Sequence, residues 1–324
     1  MMSIDGRRAF LGRMAAACLG LLCLAGTAQA REGLTVVATT GMIADAAREI
    51  GGRRVEVRAL MGPGVDPHGY RQTRSDIVAM TRADLVLWHG LYLEAQMEAF
   101  LEKLARRQAV VAVAEGLPSD SLLAHEEYED RVDPHVWMDP ALWSEVVRVI
   151  RDALIEASPE DAEVFRDNAA RFLQDIQELE RYVREVTATV PAGNRVLVTA
   201  HDAFGYFGRA YDFEVVGIQG ISTQSEAGLS RIRSLVDRLV EQRIPAVFVE
   251  SSVSERNIRA LIEGAGARGH EVRLGGELYS DAMGPTGTWE GRYLGMIDHN
   301  VTTIVRALGG QAPAGGLRAW RAAE

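Results

Sequence analysis

The residues best suited to chemistry in this 324-residue chain are histidines set behind Asp-Pro pairs. One lies in Val132-Asp133-Pro134-His135-Val136-Trp137-Met138-Asp139-Pro140. Another lies in the Gly/Pro-rich stretch Met61 to Tyr70, as Asp66-Pro67-His68. Proline fixes its own φ and drives the residue before it out of the α region. His68 and His135 are therefore expected on stiff, irregular turns rather than on helix faces or mobile loops. Two histidines presented alike suggest one shared partner, and clustered imidazoles most commonly hold a metal ion.

Two further residues complete a ligand set. His201 directly follows Val196-Leu197-Val198-Thr199-Ala200, a run that reads as a strand, and Asp281 sits in the loop-like segment Gly275 to Gly284. Three imidazoles and a carboxylate make a closed site for Zn²⁺, or a distorted, higher-coordinate one for Mn²⁺ if the carboxylate binds bidentately. Any one of these residues taken alone reads as a hydrogen-bonded loop residue. Four of them at strand ends, two behind Asp-Pro pairs, read as one site.

The elements needed to position them are legible as an α/β alternation. Strands are expected at Leu34–Thr40, Val55–Met61, Leu85–Trp88 and Ala109–Ala114. Helices are expected at Met42–Ile50, stopped by Gly51-Gly52, at Thr73–Arg82 and at Glu94–Arg107. A second alternation runs from Arg195 to a closing helix near Tyr293–Leu308. Its strands are Arg195–Ala200, Phe213–Ile218, Ala246–Glu250 and Val272–Leu274, and its helices Leu229–Arg243 and Glu255–Ala267. Between them, Ser158-Pro159-Glu160-Asp161 carries a helix-start signature. Phe165, Phe172, Leu179 and Val186 then recur every seven residues without a breaker until about Val190-Pro191. Some thirty helical residues span roughly 45 Å, which suits a rigid spine between two lobes.

The fold class is therefore α/β: two Rossmann-like lobes with mainly parallel sheets, joined by one long helix. The segments are 1–30, a signal; 31–157, the first lobe; 158–191, the spine; and 192–324, the second lobe. Ligands in such sheets bind beyond the carboxyl ends of the strands, which places the metal site in the cleft between lobes.

The first thirty residues read as an export signal, with basic Arg7, Arg8 and Arg13, an apolar stretch Met14 to Gly26, and Ala28-Gln29-Ala30 as an A-x-A cleavage site. Arg7-Arg8-Ala9-Phe10-Leu11 also matches the twin-arginine pattern. Both cysteines, Cys18 and Cys23, precede that cleavage site, so the mature chain is left with His and carboxylates as metal ligands. Removing the signal's net charge of +2 takes the chain from −10 to about −12, which argues against nucleic acid or an anionic membrane surface as partner.

These motifs resemble the cluster A-I (TroA-like) substrate-binding proteins of metal-ion ABC transporters over the whole mature region. The resemblance rests on Asp66-Pro67-His68, on Asp133 to Pro140, on Thr199-Ala-His-Asp-Ala-Phe-Gly-Tyr-Phe207, on Gly220-Ile-Ser-Thr-Gln-Ser-Glu226, on Val249-Glu-Ser-Ser252 and on Gly276 to Met283. It implies two lobes on one long helix, with His68, His135, His201 and Asp281 as the four metal ligands in order. It also implies a monomer in the periplasm, zinc or manganese as cargo with iron a further candidate, and a permease at the inner membrane as partner. Some manganese-selective members have Glu at the third position, where this chain has His201. Zinc-specialised members often carry a long His- and Asp-rich loop; here Leu122 to Asp133 is acidic (Glu126, Glu127, Glu129, Asp130) and holds only His125.

Among the other polar residues, His125 reads as a solvated loop residue. His89 reads as near the cleft, and Glu250 as either orienting an imidazole or pairing with an Arg. Asp139 and Asp202 are further orienting candidates. His270 and His299 read as bystanders, while Trp137, Phe204 and Tyr206 are expected to wall the cleft. Two rival functions remain: a secreted zinc metallohydrolase, which needs an open coordination position, and an adhesin with a structural zinc.

Overall fold

The computed structural model describes residues 33–125 and 131–323. The expected signal and the acidic residues 126–130 lie outside the described residues. The chain begins with β1 (Leu34–Ala38), α1 (Gly41–Gly51), β2 (Val55–Ala59), α2 (Arg74–Arg82), β3 (Leu85–Trp88), α3 (Glu98–Ala105) and β4 (Ala109–Ala112). These strands form one all-parallel sheet in the order β2-β1-β3-β4, with Val36 opposite both Val57 and Leu85. β1 and β3 are buried on both faces for most of their length, as their uninterrupted apolar runs require. The expected helix from Glu94 starts later, at Glu98. Gly90, Leu91 and Tyr92 all take positive φ (82°, 53° and 67°), and the turns they form leave room for helix only from Glu98 onward.

The long helix expected over 158–191 is present as one helix, shorter at both ends. α4 (Pro140–Ala157) is followed by a 3-10 turn, Pro159–Asp161, and then by α5 (Ala162–Ala188) of 27 residues, roughly 40 Å. Ser158 does not cap α5 as its sequence suggests. Its hydroxyl bonds the Asp161 carboxylate, and the proline at 159 tightens the chain into the intervening turn. The heptad stripe behaves as its spacing demands: Phe165, Ala169, Phe172, Ile176, Leu179, Val183 and Val186 are all buried. Each large apolar side chain among them contributes about 1.5–3 kcal/mol by leaving water, far more than α5 gains from intrinsic propensity.

The second half contains β5 (Val196–His201), α6 (Gly205–Tyr211), β6 (Glu214–Gln219), α7 (Leu229–Glu241), β7 (Ala246–Glu250), α8 (Arg256–Gly266), β8 (Arg273–Leu278), α9 (Tyr293–Ala307) and α10 (Gly316–Arg321). β5 pairs with β6 and β7 with β8, both parallel, and β5 runs beside β7. The short helices α6 and α10 have no strong periodicity and are not legible in the sequence. The largest buried cluster is continuous across the halves. It joins Val36, Ile43 and Trp143 to the α5 stripe and onward to Phe204, Phe248, Tyr293 and Ile304. A shared core of this kind resists wide opening, because separating the halves would expose it to water.

Candidate metal centre

Each Asp-Pro-His turn is built by its aspartate. Proline has no N–H, so the carboxylate reaches past it and accepts the amide of the histidine two residues on. Asp66 Oδ1 takes His68 N at 2.8 Å, and Asp133 Oδ1 takes His135 N at 2.9 Å. Asp133 Oδ1 also takes His135 Nδ1 at 2.7 Å, which fixes the ring and turns Nε2 inward. The next Asp-Pro in that stretch is a helix start instead. Asp139 caps α4 by accepting Ala141 N at 2.9 Å, with Pro140 in the first turn.

His201 is the last residue of β5 rather than the first residue after it. Glu250, the last residue of the neighbouring β7, holds it twice: Oε1 accepts the His201 amide at 2.8 Å and Oε2 accepts Nδ1 at 2.5 Å. Between the two readings open for Glu250, the structure shows imidazole orientation. Asp281 follows β8, and its loop is tied to the first half where Trp137 Nε1 donates to Ser280 O at 2.8 Å. Tyr293 reinforces that tie by donating its hydroxyl to Trp137 O at 2.9 Å.

These supports bring His68, His135, His201 and Asp281 into one buried group whose candidate ligand atoms lie within 4.8 Å of one another. The Nε2 atoms of His68 and His135 are 3.3 Å apart. Asp281 Oδ1 is 3.3 Å from His135 Nε2, and Oδ2 is 3.3 Å from His201 Nε2 and 3.9 Å from His68 Nε2. A tetrahedral ion with bonds of about 2.0–2.2 Å sets its ligand atoms roughly 3.3–3.6 Å apart, so the group already has the size of a coordination shell. Both Asp281 oxygens and His201 Nε2 are buried without a hydrogen-bond partner among the described residues. Such atoms are costly unless something else satisfies them, and a cation does so for all three at once.

The electrostatics agree. Burial alone would depress the His135 and His201 pKa values. For His135 the carboxylates of Asp133 and Asp281 outweigh burial and raise it to about 9; for His201, Asp281 and Glu250 push it well above the usual value. His68 is driven down to about 3, chiefly by burial. Burial opposes the charge of Asp281, but the imidazoles around it, His201 foremost, hold it well below the ordinary carboxylate range. The site is an anion ringed by imidazoles, and the carboxylates around His135 and His201 favour the charged form of both rings.

The other sequence candidates separate cleanly. His89 is buried, with Nε2 2.7 Å from Pro134 O, so it steadies the His135 turn without touching a ligand ring nitrogen. His125 lines a cavity of about 310 Å³ whose wall includes His68, Tyr92, Arg131, Pro134 and Ser222, but it does not join the group of four. His270 and His299 bond the carbonyls of Ile244 and Glu277. Asp202 borders a separate recess with Asp133. Trp137 packs its ring on both His135 and His89, as a cleft wall should. Tyr206 acts differently: its hydroxyl donates to Asp133 O at 2.7 Å, bracing the helper of His135 from the second half, and Phe204 packs on Phe207. Gly205 permits this approach, since a Cβ there would lie 2.9 Å from Asp133 Oδ2.

Two residues carry roles that the sequence did not single out. Asp133 was visible only as a motif member, not as the partner of Nδ1. Glu94 is buried, and burial pushes its pKa up to about 7. It accepts Thr39 Oγ1 and the amides of His89 and Gly90, stapling the positive-φ loop beside the site. An acidic residue closing Trp88-His89-Gly90-Leu91-Tyr92-Leu93-Glu94 was the only available signal. Glu250→Gln keeps the size of the side chain but weakens its hold on His201. The expected result is a rise in ion dissociation constant of about ten- to a hundredfold, read by titration of metal-stripped protein.

Fold and site together define a class: two-lobed α/β proteins with a buried His/Asp metal site where the lobes meet. The chain belongs to the ZnuA family, described as zinc-uptake complex component A, periplasmic, whose sequence model matches residues 36–307. It is 48% identical to the manganese-binding lipoprotein MntA of Bacillus subtilis over 303 residues, which is 92% of this chain and 99% of that one. It is 47% identical to the zinc-binding protein TroA of Treponema pallidum over 273 residues, 84% and 88% of the two chains. It is 32% identical to the iron-binding protein YfeA of Yersinia pestis over 278 residues, 85% and 86%. The solved structure of the periplasmic zinc-binding TroA superposes with a TM-score of 0.83 at 46% identity, covering 86% of this chain and 99% of that one.

Proposed function

We propose that this protein captures a divalent transition-metal ion outside the cytoplasm and delivers it to an ABC transporter permease at the inner membrane. The observation that carries the reading is the buried group of His68, His135, His201 and Asp281, with three inward atoms that no group among the described residues satisfies. Zinc and manganese are the cargo candidates, with iron a third, in keeping with the names of MntA, TroA and YfeA. Three imidazoles favour zinc over manganese in intrinsic affinity, so the ion carried depends on supply as well as on ligands. His68 and His135 come from 31–157 and His201 and Asp281 from 192–324, on either side of the 158–191 spine. Binding therefore favours the arrangement in which both halves engage.

Four side-chain ligands leave no obvious position for an attacking water, and the chain has no H-E-x-x-H pattern, so capture supports the geometry better than hydrolysis. The protein acts as a monomer, exported by residues 1–30 and cleaved near Ala30. Protein recovered from the periplasm is expected to hold one zinc, manganese or iron per chain by elemental analysis, with an intact mass starting after Ala30. Stripping the ion with a chelator should leave it folded but melting about 8 °C lower. That shift is what roughly 4 kcal/mol of linkage, at a thousandfold excess of ion over its dissociation constant, amounts to in a chain this long. Unfolding on chelation would indicate a structural ion, and turnover of esters or peptides by the loaded protein a hydrolase.

A further inference from the structure

The four clustered residues are not equally supported. The His135 ring is held by Asp133, the His201 ring by Glu250, and the Asp281 loop by Trp137. Among the described residues, no carboxylate holds the outer ring nitrogen of His68. Its support is the backbone bond to Asp66 Oδ1, and Asp66 in turn is fixed from the other half, where Thr223 Oγ1 donates to Oδ2 at 2.6 Å. Thr223 stands in the loop that follows β6, half-buried and followed by exposed Gln224 and Ser225. That loop closes down on the His68 turn: Gln224 Nε2 lies 2.6 Å from where a Cβ on Gly69 would be. His68 also borders the cavity of about 310 Å³, whose wall includes Ile221, Ser222 and Gln224 of the same loop. The least braced imidazole thus borders an open cavity, secured by one hydroxyl from the opposite half.

Resting on the metal-capture reading, we propose that His68 is the ligand that leaves first and that the Thr223–Asp66 hydrogen bond is the latch governing its departure. Thr223 is a positioning residue: it touches no ion and acts on the site through Asp66 and the His68 backbone. Breaking the bond frees the Asp66-Pro67-His68 turn to swing toward the cavity while His135, His201 and Asp281 stay in their braces. A protein surface that drew the 220–226 loop outward would loosen the ion by this route without disturbing the shared core.

The test compares Thr223→Val, which keeps shape and removes the donor, with Thr223→Ser, which restores it. Zn²⁺ dissociation is followed by stopped-flow competition with a chromophoric chelator, and zinc stoichiometry by elemental analysis. Thr223→Val is expected to release Zn²⁺ about ten- to a hundredfold faster, the worth of one hydrogen bond to a charged group. One ion per chain and the metal-free melting temperature stay unchanged, and Thr223→Ser releases at nearly the native rate. A Thr223→Val rate within twofold of native overturns the latch, as does a Thr223→Ser variant as fast as the valine. Native protein that takes up no zinc would overturn the capture reading instead, so the two failures are distinct.

Discussion

Asp281→Ala is expected to weaken ion binding on the order of a hundred- to a thousandfold. The figure follows from assigning one ligand's share, about a quarter, of the roughly 10–16 kcal/mol typical of four-ligand zinc sites. Asp281 is the only anion among the four, and it lies within 3.3 Å of the inward nitrogens of both His135 and His201. Its loss removes a ligand and also the charge that gathers the imidazoles. Calorimetry on metal-stripped protein reads the effect directly. An unchanged dissociation constant would remove Asp281 from the ligand set. The fold itself should tolerate the change, because the Ser280 carbonyl that takes Trp137 Nε1 belongs to the backbone and remains in place.

Ion affinity is expected to rise steeply with pH up to about 9. His135 is raised to about 9 and His201 well above its usual value in the ion-free site, so both carry protons that an incoming ion must displace. The sign follows: a group protonated in the free site and deprotonated in the bound one makes binding stronger as pH rises, until pH passes its free-site pKa. Two displaced protons correspond to about a hundredfold in apparent dissociation constant per pH unit near neutrality. His68, lowered to about 3, adds nothing to the slope in this range. Titrations in buffers of different ionisation enthalpy should report about two protons released per ion near pH 7. A pH-independent dissociation constant between about pH 6 and 8 would show that the imidazoles stand deprotonated in the free site.

Much of this was readable because it is local. Each Asp-Pro-His turn is closed within three residues, so its rigidity follows from proline chemistry alone. The stripe from Phe165 to Val186 buries itself on whatever packs beside it, and the apolar runs of β1, β3 and β7 need two covered faces wherever they lie. The misplaced boundaries have equally local causes. A proline-bearing turn at 159–161 delays the start of α5, and three consecutive positive-φ residues delay α3. Neither changes a propensity sum enough to be seen in a window of residues.

The sequence by itself determined the candidate ligand types, the stiff turns presenting two of them, and the α/β rhythm that puts all four at or beyond strand ends. Only the tertiary structure decided what each ligand leans on. Glu250 lies 49 residues from His201, Ser280 lies 143 from Trp137, and Thr223 lies 157 from Asp66. Hydrogen bonds over such separations leave no periodicity and no motif, because their partners are chosen by which strands and loops the shared core brings side by side. The identity of the site is a matter of residue type and spacing, and its mechanics are a matter of packing.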